Sequence, residues 1–86
     1  MYTVELKRGP EKFLRRQSRR IQRQIISGLR KLQDDPRPAA ARKLQGMKNL
    51  YRIRTGDYRI VYCVEDDKLV VLVVRIAHRK KVYKNL

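Results

Sequence analysis

Between Leu50 and Tyr62 the chain reads Leu-Tyr-Arg-Ile-Arg-Thr-Gly-Asp-Tyr-Arg-Ile-Val-Tyr, and this stretch constrains the fold more than any other. Two alternating runs flank Gly56-Asp57, the signature of a tight β-hairpin. A two-residue loop sets the register, so Thr55 faces Tyr58, Arg54 faces Arg59, Ile53 faces Ile60, Arg52 faces Val61 and Tyr51 faces Tyr62. Opposed residues share a face and side chains alternate with a period of two. One surface therefore carries Tyr51, Ile53, Ile60 and Tyr62 and is a core face. The other carries Arg52, Arg54 and Arg59, with Val61 and Cys63 further along.

The second surface is costly. Like charges directly across a strand pair destabilise a sheet. At about 5 Å and an effective dielectric near 20, two cations repel by roughly 3 kcal/mol, and by less where water reaches them. Charge on an edge strand can discourage aggregation. A polyanion laid across the face is the stronger explanation, because guanidinium forks grip phosphate oxygens.

Composition agrees. Lys plus Arg number 23 against 8 Asp plus Glu, a formal net charge of +15, which points to nucleic acid, an anionic membrane surface or an acidic protein as partner. Such self-repulsion means that a neutralising partner stabilises the folded state. With 42% hydrophobic residues in 86, residues 1–86 read as a single domain with a thin core. Cys63 cannot form an internal disulfide and reads as a small apolar interior residue. One Cys and one His make a metal site improbable, and no cofactor is implied. There is neither a membrane-length apolar run nor a signal-peptide pattern, so a soluble, cytoplasmic protein with no membrane partner is expected.

Taken in order, Tyr2 to Lys7 alternates and predicts a strand, with Tyr2, Val4 and Leu6 on one side. Gly9-Pro10 ends it, and Pro10 suits the first turn of a helix. Ser18 either caps a second helix, making a helical hairpin, or lies within one longer helix. Ile21, Ile25, Leu29 and Leu32, at spacings of four, four and three, form one helical face. Gly28 weakens that helix by ~1 kcal/mol relative to Ala. Asp34-Asp35-Pro36-Arg37-Pro38 stops it, and Arg15, Arg16, Arg19, Arg20, Arg23, Arg30 and Lys31 read either as a solvated face or, for some of them, as contacts to RNA phosphates.

Ala39 to Gly46 is a connection carrying Arg42 and Lys43. After the hairpin, Glu65-Asp66-Asp67-Lys68 turns the chain, and the apolar run Leu69 to Ile76 predicts an interior strand. With another even-numbered loop, Arg59 faces Val74, and Ile76 and His78 point to the arginine side. The order is β-α-α-β-β-β with a basic tail: an α+β fold, a helical hairpin on a four-stranded, mainly antiparallel sheet.

Taken together, Asp35-Pro36-Arg37-Pro38, Lys43-Leu44-Gln45-Gly46, Leu50-Tyr51-Arg52-Ile53-Arg54, Gly56-Asp57-Tyr58-Arg59-Ile60-Val61-Tyr62 and His78-Arg79-Lys80-Lys81-Val82-Tyr83 make the chain resemble the RelE toxins of the RelE/ParE superfamily. The resemblance covers nearly the whole chain. It implies a ribosome-dependent endoribonuclease (mRNA interferase) that enters the A site and cuts mRNA by 2′-OH attack on the adjacent phosphate. The implied partners are the ribosome with A-site mRNA, a cognate RelB-like antitoxin and, through the antitoxin complex, operator DNA. Matching positions assign the catalytic face to Arg52, Arg54, Arg59, Arg79 and Tyr83.

Some relatives carry Lys where this chain has Arg52 and Arg54. Arginine stays charged at any working pH, so these two suit phosphate clamping and oxyanion stabilisation rather than proton abstraction. Arg59, facing Arg54, is the choice for the scissile phosphate, and Arg79 for the pentavalent transition state or the leaving group. Tyr83 is placed to stack on a base or to take part in proton transfer. His78, the sole histidine, either takes part in acid–base chemistry or only orders the tail. Two rivals stand beside this reading: a ParE-like DNA gyrase inhibitor without nuclease activity, and a non-catalytic basic nucleic-acid-binding module.

Overall fold

A computed structural model describes residues 1–46 and 48–82. Its elements run β1 (Thr3–Leu6), α1 (Arg8–Arg15), α2 (Arg19–Asp34), β2 (Arg42–Lys43), β3 (Leu50–Thr55), β4 (Tyr58–Glu65), β5 (Val70–His78) and α3 (Arg79–Val82). The strands form one sheet in the order β1-β5-β4-β3-β2. β1 runs parallel to β5, and the other neighbouring pairs are antiparallel. The α+β class stands, with five strands instead of four. The extra one is β2, whose Arg42 and Lys43 pair with Arg52 and Tyr51. Two residues give no periodicity, so this edge strand has no sequence signal of its own.

Two helices precede β2, not one. The side-chain oxygen of Ser18 accepts the Ile21 N–H at 3.4 Å, and the Gln22 amide donates to Leu14 O at 2.9 Å, satisfying a carbonyl at the end of α1. Pro10 lies buried in the first turn of α1. Asp35, before Pro36, is extended at φ −143° and ends α2. α2 turns Ile25, Leu29 and Leu32 onto Ile53, Ile60, Tyr62, Val64, Val71, Val73 and Ile76, and Tyr2, Val4 and Leu6 pack at the margin. Gly28 lets α2 approach β3: a Cβ there would stand 3.2 Å from Thr55 Cβ, and Thr55 Oγ1 donates to Gln24 O at 3.0 Å.

The hairpin register is the expected one, from Thr55↔Tyr58 to Tyr51↔Tyr62. Gly56 at φ +62° supplies the left-handed first corner. The next pairing departs from expectation. Glu65 faces Val70 across a longer turn, and the ladder shifts by one between Val61↔Arg75 and Tyr62↔Val73. Val74 is thus the extra residue of a β-bulge. Arg59 faces Ala77, not Val74, and His78 faces Tyr58. Ile76 and His78 therefore lie on the helix side, and Arg75 takes their place on the arginine side. Unbroken alternation from Val71 and Val73 would have put the Arg75 guanidinium into the core. The bulge avoids that cost.

Candidate functional site

The sheet face opposite α1 and α2 gathers the arginines. Arg42 of β2 stands opposite Arg52 of β3, Arg52 opposite Val61 of β4, and Val61 opposite Arg75 of β5. The neighbouring row reads Arg54, Arg59, Ala77. Arg59 is only 4% exposed and Val61 2%. Burial first, then the charges of Arg54, Arg52 and Arg79, push the Arg59 guanidinium below its usual range, although an arginine stays protonated. Three cations acting on one guanidinium mark a convergence of positive charge. Arg52 and Arg54 form no ion pair among the described residues. With Ala40 and Arg42 they line a cleft of about 350 Å³.

Arg79 joins the group from the start of α3. Its N–H donates to Asp57 O at 2.7 Å, which ties α3 to the hairpin turn, and its Nε lies 3.9 Å from Asp57 Oδ1. Among the candidate residues, Arg52, Arg54, Arg59 and Arg79 are thus brought together. His78 is not. Its ring meets Tyr58 edge-on at 5.4 Å, and its Nδ1 accepts the Lys80 N–H at 3.3 Å, so it shapes the exit from β5. Tyr83 lies outside the described residues. Cys63 is a free, half-buried thiol between Leu50 and Leu72. Among the described residues no three His, Cys, Asp or Glu side chains cluster to hold a metal ion, and no helix is long and apolar enough to cross a membrane.

Two members of the face are not apparent in the sequence. Arg42 sits in what reads as a connection, and Arg75 in an apolar run. For Arg75 a signal exists, because a charge at a core-parity position requires a phase break before it. Arg42 offers none.

The Asp35-Pro36-Arg37-Pro38 stretch has a structural task. The Arg37 guanidinium forks onto Asp66 at 3.0 and 2.7 Å, while its Nε donates to Tyr51 Oη at 2.9 Å. Tyr2 Oη donates to Asp66 at 2.7 Å, and the Tyr62 hydroxyl donates to Pro36 O at 2.8 Å. Burial pushes the Tyr62 phenol up to about 12. This clasp joins the α2–β2 connection to β3, β4 and the β4–β5 turn. The hydrogen bonds from Arg37, then Tyr2, hold the Asp66 carboxyl down at about 2. A depressed carboxylate stabilises the fold above its unfolded pKa of about 3.9 and loses that contribution as pH falls towards 2. Asp66→Asn is therefore expected to melt below the parent at pH 6, with the gap closing between pH 4 and pH 2. A gap constant across that range in thermal melts would contradict the ionic clasp.

A family model described as the ParE toxin of type II toxin-antitoxin systems matches residues 5–83. The chain is 33% identical over 82 residues to a putative RelE-like toxin protein of Escherichia coli, covering 93% of this chain and 85% of that protein. It is 36% identical over 63 residues to the mRNA interferase toxin RelE of Escherichia coli, covering 71% of this chain and 65% of that one. A chain in the crystal structure of the intact E. coli RelBE toxin-antitoxin complex superposes with a TM-score of 0.79 at 31% identity, over 91% of this chain and 96% of that one. The chain belongs to the RelE/ParE superfamily, as a RelE-like toxin of a toxin–antitoxin system.

Proposed function

We propose that this toxin is a ribosome-dependent mRNA endoribonuclease. The observation that carries the reading is the placement of Arg52, Arg54, Arg59 and Arg79 around one patch of the sheet, where a phosphodiester is the complementary ligand. The naming of a relative as an mRNA interferase supports it. In the step envisaged, the ribose 2′-oxygen attacks the adjacent phosphorus as its proton leaves. The P–O5′ bond breaks, and the 5′-oxygen takes up a proton, leaving a 2′,3′-cyclic phosphate and a 5′-hydroxyl. Negative charge accumulates on the non-bridging oxygens of the pentavalent transition state. Arg59, buried and flanked by Arg54, is the group to meet it, because preorganised cations in a water-poor site act most strongly there. Arg52 and Arg54 clamp the phosphate, and Arg79 stabilises the transition state or the leaving oxygen. Tyr83 retains its proposed part in base stacking or proton transfer. The ribosome supplies substrate orientation, which can lower a barrier by ~7 kcal/mol or more.

The reading places the toxin in the cytoplasm, held in check by a RelB-like antitoxin that also carries it to operator DNA; chains of this fold solved with RelB partners support that pairing. The test is primer extension on stalled, programmed ribosomes beside the same mRNA free in solution. Sharp A-site cuts with free mRNA intact are expected, and an uncut message on the ribosome would overturn the proposal. One observation favours a second reading, inhibition of DNA gyrase: the matching family model carries the ParE name. That reading leaves the arginine rows without a task, and a gyrase supercoiling assay separates the two.

His78 provides a further check. Standing on the helix side beside Tyr58, it acts by ordering the chain into Arg79, not by moving a proton. His78→Ala is expected to slow cutting by less than about tenfold, below the 10²–10⁴ typical of a general acid or base, and to leave the shape of the pH–rate profile intact. Loss of one limb of that profile would return His78 to the chemistry.

A further inference from the structure

The reaction proposed above leaves two arginines of the same face without a role, Arg42 and Arg75. They occupy the two ends of one lateral row, Arg42–Arg52–Val61–Arg75, that crosses β2, β3, β4 and β5. Neighbouring strands lie about 4.8 Å apart, so the ends of the row are separated by roughly 14 Å. The parallel row, Arg54–Arg59–Ala77, carries the proposed scissile phosphate.

Both outer positions are maintained against a cost. Arg42 sits directly opposite a second cation, Arg52, on an edge strand of only two residues. The pair lines the cleft of about 350 Å³ with Ala40 and Arg54, so three of its four lining residues are arginines. Arg75 is set on the arginine row by the bulge at Val74, and its buried Nε has no hydrogen-bond partner among the described residues. Neither Arg42 nor Arg75 has an ion pair among the described residues. A ligand rich in anionic oxygen, running along the row, satisfies both.

We propose that Arg42 and Arg75 hold the phosphates flanking the scissile linkage, on a track for single-stranded RNA that crosses the sheet at right angles to its strands, from β2 to β5. The inference rests on the nuclease reading of this face and adds the path and the extent of the substrate. Flanking phosphates are held equally in the ground state and the transition state. Their arginines therefore contribute affinity and not rate at the reacting phosphorus. They also read no base, so the track accepts any sequence.

The test is binding of a 5′-fluorescein-labelled RNA octamer, followed by anisotropy across a sodium chloride series. Each phosphate of a single strand that the protein ceases to neutralise lowers the slope of log K against log salt by ~0.7. Arg42→Gln and Arg75→Gln are each expected to lower it by about that much, and the double variant by about 1.4. Arg75→Lys, which keeps the charge in the row, is expected to retain the parent slope, separating removal of the charge from failure to fold. Arg30→Gln, on the outer surface of α2, is the comparison. Unaltered slopes in the row variants, or an equal fall in Arg30→Gln, overturn the track. On programmed ribosomes the row variants are expected to lose about tenfold in kcat/KM, carried by KM, as for removal of one charge-assisted hydrogen bond. A loss confined to kcat would overturn the flanking assignment. Should the parent toxin fail to cut ribosome-bound message, the nuclease reading falls, while the salt slopes still decide whether the track exists.

Discussion

Arg59→Ala is expected to cut message on programmed ribosomes at least ~100-fold more slowly than the parent, the loss seen when one oxyanion donor is removed. The physical basis is the position of the guanidinium. It is 4% exposed, directly opposite Arg54, and feels Arg52 and Arg79 as well. A charge in so water-poor a site interacts with a developing phosphorane anion far more strongly than a surface cation does. Arg59→Lys preserves the charge and loses the planar fork, so an intermediate rate is expected. Thermal melts of the same variants separate chemistry from folding. A rate loss in a variant that melts with the parent belongs to the reaction, and a loss of only a few-fold would contradict the role given to Arg59.

Leu32→Ala is expected to lower stability strongly, as a truncation in the α2 face that packs on the sheet. Leu32 is fully buried between α2 and the sheet. Truncating a buried leucine costs about 2–5 kcal/mol. At roughly 0.05–0.15 kcal/mol per residue, a chain of this size has about 4–13 kcal/mol in all. The melting temperature should therefore fall by at least ~8 °C, since each kcal/mol moves a domain of this size by about 4–8 °C. The arginine rows stand on the other face of the same sheet, so activity per folded molecule should persist below the new melting point. A drop of less than about 4 °C would mean that the helix layer is not what holds the arginine face in place.

How far the site is legible in the sequence depends on how local each determinant is. The pairing of Arg54 with Arg59 is readable because a two-residue loop sets the hairpin register, and neighbours in sequence are enough to specify it. The inward face of α2 is readable for the same reason, since Ile25, Leu29 and Leu32 repeat with the helical period. The side taken by His78 is not, because alternation carried unbroken through Val74 points it the wrong way, and the ladder contains an extra residue there. The place of Arg79 beside the hairpin depends on Asp57, which accepts its N–H only once β4 and β5 are paired.

From its own order of residues, this chain determines a hairpin with opposed cations, a helix with one apolar stripe, a helix-ending Asp-Pro-Arg-Pro and a likeness to RelE toxins. The tertiary structure alone decided that Arg37 reaches Asp66, 29 positions away, that Arg42 finds Arg52 across a two-residue edge strand, and that a bulge delivers Arg75 in place of His78 to the arginine side. Periodicity and turn chemistry act between near neighbours, so one stretch is enough to reveal them. A phase break, an edge pairing or a distant ion pair exists only where two separate stretches meet, and its free energy belongs to the meeting.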